Sequence, residues 1–113
     1  MSWRAQGMRA WLLQRLTAVY LLWYGIFFGF YISQSPVHGF ESWRALFIHP
    51  VSNIATAVFF YSLLYHAWVG IRDILIDYVP LAYLRFFLWI AMTFGLSILA
   101  VWVSMILFSV VSL

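Results

Sequence analysis

The chain has 113 residues, of which 66% are hydrophobic and 8% charged, with a net charge of +3. A soluble domain averages about 45–50% apolar and about 25% charged residues, and three acids and six arginines cannot dress the surface of one this short. That excludes a soluble enzyme, a disordered tail and a cytoplasmic binding module, and leaves an integral membrane protein. Cysteine is absent, so there is no disulfide, thiolate metal site or cysteine nucleophile. The six arginines are scattered and form no basic patch, so nucleic acid is not an expected partner.

Arg4, Arg9 and Arg15 open the chain, and residues 16–40 then carry no formal charge. After Glu41 and Arg44, residues 45–71 are charge-free; after Arg72, Asp73, Asp77 and Arg85, so are residues 86–113. Each block can supply the roughly 20 apolar residues that cross the hydrocarbon core. With no water there to satisfy backbone groups, each span must be helical. The sequence thus predicts an all-α integral membrane fold, a single anchor domain over 1–113, with helices at about 16–33, 51–71 and 86–109.

The basic stretch before the first block resembles the start of a signal peptide. However, the apolar run is long, ends in bulky aromatics and lacks a small-x-small site, so a retained helix is expected. Trp3 and Trp11 suit an interfacial arm ahead of it. Gly25 and Gly29 form a Gly-x-x-x-Gly pattern that permits close helix contact. The connection at 34–50 holds Ser35-Pro36, Gly39 and Pro50, which punctuate loops, and Pro50 suits the first turn of the next helix. Pro80 marks a turn in the connection at 72–85. Arginines number five on the side of the N-terminus and the second connection, against Arg44 alone on the other. The positive-inside rule then puts the N-terminus inside and the C-terminus outside.

The second span carries the informative residues. Ser62, His66, Gly70, Asp73 and Asp77 recur at steps of 4, 4, 3 and 4 and share one helix face. A small and polar stripe inside a membrane faces a partner helix or a cofactor, not lipid. His66 is the one histidine within a predicted span. It either hydrogen-bonds a neighbouring helix or, as neutral imidazole, ligates haem iron, with Gly70 leaving room for the macrocycle. A second axial histidine would have to come from another chain. Arg15 is either a snorkelling anchor or the partner of a carboxylate such as a haem propionate. Asp77 and Tyr78 lie about 16 Å along the axis from His66 if the helix continues. Tyr78 there could donate to a quinone carbonyl with Asp77 nearby, or be an aromatic-belt residue beside an aspartate paired with Arg72 or Arg85.

The stretch from His66-Ala67-Trp68-Val69-Gly70 to Asp77-Tyr78-Val79, with Arg15-Leu16-Thr17-Ala18 in the first span, resembles the small hydrophobic membrane anchors of succinate dehydrogenase, respiratory complex II. That family has three transmembrane helices, a histidine followed by glycine four residues on, and Asp-Tyr at the end of the second helix. The resemblance implies His66 as an axial ligand of haem b, shared with a sister cytochrome b anchor. It also implies Tyr78 as the ubiquinone contact, Asp77 as its acidic neighbour and Arg15 near a haem propionate. The implied partners are that sister anchor, a flavoprotein that oxidises succinate and an iron–sulfur protein. This chain can build neither a flavin nor an iron–sulfur site, so it would be one part of an enzyme and would not bind succinate. The absence of a transit-like stretch between Met1 and the membrane arm favours a bacterial inner membrane over a mitochondrial one. Two other functions fit the composition: a self-associating proton or cation transporter component with His66 and Asp73 on its path, and a purely structural helper.

Overall fold

A computed structural model describes residues 3–35 and 38–111, and the side chains from residue 7 onward within them. Pro36 lies outside the described residues, as do the side chains of Trp3 and Arg4. Among the described residues there are four helices: α1 (Trp3–Gln34), α2 (Gly39–Ile48), α3 (Pro50–Tyr78) and α4 (Ala82–Val110). Three of them, α1, α3 and α4, are long and apolar enough to cross a membrane. Their outward surfaces carry Leu22, Trp23, Phe27, Phe94, Ile98 and Trp102, all exposed, while the buried apolar residues are Ala57, Val69 and Leu107. Helices this apolar on their outer faces are built for lipid.

The helices run further than the hydropathy does. The segment before Arg15 continues the first span helix and is not a separate arm, because Gly7 alone does not break it and no proline intervenes. At 29 residues, α3 is about 44 Å long and runs on through Arg72 and Asp77. It stops where Pro80 removes a donor, and α4 begins at Ala82. The second connection is therefore a short turn. The first connection contains α2, whose opening Gly39 adopts φ +78, a left-handed conformation that glycine tolerates best.

The central helix is α3: α1 packs along one side of it and α4 along the opposite side, while α2 rests on α3 and α4. Hydrogen bonds stitch both seams. Tyr20 Oη donates to the Ala55 carbonyl at 2.7 Å, and the Tyr24 and Thr56 hydroxyls pair. On the other side Trp68 Nε1 donates to Thr93 Oγ1 at 3.1 Å, and Tyr61 pairs with Ser104.

The start of α3 caps two other helices. Helix C-termini leave four carbonyls without intrahelical partners. Asn53, only 1% exposed, donates from Nδ2 to the Phe47 carbonyl of α2 at 2.9 Å and to the Leu107 carbonyl of α4 at 2.8 Å. Ser52 Oγ donates to the Leu46 carbonyl. His49 caps α3 itself, its Nδ1 accepting from Val51 N at 3.2 Å, and Pro50 occupies the first turn as the sequence predicts. Asn53→Leu removes both interhelical bonds and strands two carbonyls. We expect it to lower stability by about 1–3 kcal/mol, read as the unfolding midpoint in detergent.

Candidate functional site

The polar stripe of α3 faces α1. His66 sits near the middle of α3, half-buried, with Nδ1 3.2 Å from Thr17 Oγ1 of α1. Its Nε2 has no hydrogen-bond partner among the described residues. One turn on, Gly70 lies against Gln14, whose Nε2 is 4.0 Å from where a Cβ would stand. The Gln14 Oε1 is buried without a hydrogen-bond partner among the described residues. Gly70→Ala therefore meets only ordinary contact and gains helix propensity, so it should match or exceed wild-type thermal stability in detergent. Gly70→Leu pushes Gln14 aside at a cost of about 1–3 kcal/mol.

Below this level α1 and α3 part around a cavity of about 340 Å³, lined by Ala10, Trp11, Gln14, Arg15, Arg72 and Asp73, among others. Arg15 lies over the Trp11 ring, 5.3 Å from its centroid, and no carboxylate is within ion-pair range of it among the described residues. Arg72 pairs with Asp73 at 3.2 Å and lies over the Trp68 ring at 5.6 Å. The structure thus brings Arg15 and Asp73 to one cavity, although they lie on different helices.

Asp77 and Tyr78 are at the end of the same helix as His66, since α3 runs far enough to reach them. Both are exposed, Tyr78 at 78%, and neither makes a side-chain hydrogen bond among the described residues. Asp77 pairs with neither Arg72 nor Arg85; Arg72 pairs with its neighbour Asp73 instead. Gly25 and Gly29 meet nothing within 4 Å at their Cβ positions, so among the described residues no helix lies against the Gly-x-x-x-Gly face of α1. α1 instead packs through Ala10, Gln14, Thr17, Leu21, Tyr24 and Phe28, a stripe at alternating steps of 4 and 3. That spacing is visible in the sequence. The role of Thr17 and Gln14 opposite His66 and Gly70 is not, because it depends on the register between two helices. At the other end of the seam, α1, α2 and α3 enclose a cavity of about 580 Å³ between Tyr24, Phe28, Phe47 and Thr56, with His49 at its lining.

Comparison with known proteins bears on this arrangement. The family described as succinate dehydrogenase/fumarate reductase transmembrane subunit matches residues 1–111. A curated relative, the succinate dehydrogenase hydrophobic membrane anchor subunit of Coxiella burnetii (strain RSA 493 / Nine Mile phase I), is 37% identical over 75 residues. The match covers 66% of this chain and 64% of that protein, so it spans less than two thirds of the relative.

Proposed function

Because the chain belongs to the succinate dehydrogenase/fumarate reductase transmembrane-subunit family, we propose that it is the anchor through which a succinate dehydrogenase delivers electrons to ubiquinone, with haem b held partly by His66. The observation that carries this reading is His66 itself: an imidazole midway along a membrane helix, held at Nδ1 and unclaimed at Nε2. An ionisable group at that depth is expensive unless it has work to do, and a free ring nitrogen is what an axial iron ligand supplies. Arg15, with no carboxylate in ion-pair range among the described residues, fits a propionate. When bound, haem b holds and passes single electrons.

This chain's residues do the rest. His66 would hold the haem from this chain through its free ring nitrogen, and a sister cytochrome b anchor would supply the second ligand. The open Gly25 and Gly29 face of α1 admits a neighbouring helix closely, which supports that partnership. Tyr78, exposed at the end of α3 in the band where amphipathic rings sit, donates from Oη to a carbonyl oxygen of ubiquinone. Asp77 beside it is free of ion pairs among the described residues and can relay a proton as the quinone is reduced. Arg9, Arg15, Arg72 and Arg85 gather at the end where α3 passes to α4, and Arg44 lies on α2 at the opposite end. Under the positive-inside rule the arginine-rich end faces the inside of a bacterial inner membrane. There the iron–sulfur and flavoprotein partners would dock. The test is a set of single substitutions in the assembled complex, separating haem content from quinone reduction.

A further inference from the structure

The proton arrangement around His66 goes beyond ligand identity. Thr17 Oγ1 lies 2.8 Å from the Leu13 carbonyl and 3.0 Å from the Gln14 carbonyl, both within α1. A hydroxyl has one hydrogen, and a carbonyl oxygen can only accept. The Thr17 hydrogen is therefore committed to its own helix backbone, the usual behaviour of a threonine inside a helix. Towards His66 Nδ1, 3.2 Å away, Thr17 offers a lone pair. Nδ1 must then carry the ring hydrogen and donate it to Thr17 Oγ1. In the neutral imidazole that leaves Nε2 bare.

We propose that Thr17 is a positioning residue that fixes the Nδ1–H tautomer of His66 and raises the donor strength of its Nε2 towards haem iron. The inference rests on the haem reading above. A histidine that ligates a metal through one nitrogen commonly donates its other N–H to an oxygen, which orients the ring and makes the ligand more basic. Here the acceptor is a hydroxyl from the adjacent helix, held in turn by two backbone carbonyls. A more basic axial nitrogen favours ferric over ferrous iron. The effect on the potential is 59 mV for each tenfold change in relative affinity in a one-electron couple.

The test uses the intact complex in native membranes and compares wild type with Thr17→Val and Thr17→Ser. Potentiometric titration of the b band reads the haem midpoint, and the b-band amplitude reads haem content. Valine keeps the shape and loses the acceptor, so the midpoint should move positive; serine keeps the hydroxyl and should restore it. Loss of haem from T17V with retention in T17S supports the same role. A T17V midpoint and spectrum equal to wild type overturn the proposal. So do equal shifts, or equal haem loss, in T17V and T17S, which mark Thr17 as packing only. A wild-type complex without haem b overturns the underlying reading and this one together, and is distinct from the other outcomes.

Discussion

We expect the replacement of His66 by leucine to remove the b-type band from the reduced-minus-oxidised spectrum of the assembled complex almost completely. Leucine has no lone pair to give to iron, and no other histidine of this chain is on a membrane-spanning helix interior: His38 lies outside the helices and His49 caps the start of α3. The fold should survive the change. His66→Leu breaks one hydrogen bond across the α1–α3 seam, worth about 0.6 kcal/mol and at most about 1.7 kcal/mol in a membrane. The Tyr20 and Tyr24 bonds remain, and so does the capping by Asn53. The Thr17 hydroxyl keeps its backbone acceptors. Spectral loss with normal insertion is therefore the expected pair of results. An unchanged band would remove His66 from the iron.

Tyr78→Phe should slow quinone reduction by about 2–13-fold, the equivalent of one hydrogen bond of about 0.5–1.5 kcal/mol. Succinate oxidation through an artificial acceptor should stay near wild type. The reasoning is local. Tyr78 is exposed at the end of α3 and packs little, so losing its hydroxyl leaves the helices intact. Only a group that engages Oη from outside the chain feels the change. Equal loss of both activities would mean that Tyr78 serves assembly instead.

Charge-free blocks marked the three spans because lipid admits so few ionised groups. Their ends were less legible. Hydropathy fails at Arg72, yet α3 continues to Tyr78, since a helix ends where its backbone is interrupted and not where it meets water. For the same reason the residues from Trp3 to Arg15 are helix. The α2 segment was hidden by its own punctuation: Gly39 and Pro50 read as loop signals but flank a ten-residue helix, one opening it and the other starting the next. In the site, 3.6-residue periodicity was enough to put His66, Gly70 and Asp73 on one face. What that face meets was not readable, because Thr17, Gln14 and Arg15 come opposite it only through the register of α1 against α3. The Gly25 and Gly29 pattern was readable as a contact surface, but nothing among the described residues packs against it.

We propose that this chain anchors haem and a quinone-reducing complex. The most direct test is a dithionite-reduced minus oxidised spectrum of the tagged protein, taken in native membranes and after detergent purification, with the co-purifying proteins identified by mass. A b-type band in both, accompanied by a second anchor, an iron–sulfur protein and a flavoprotein, is the predicted result. No band in native membranes, with this chain recovered only with copies of itself, would contradict the account and favour a self-associating transporter.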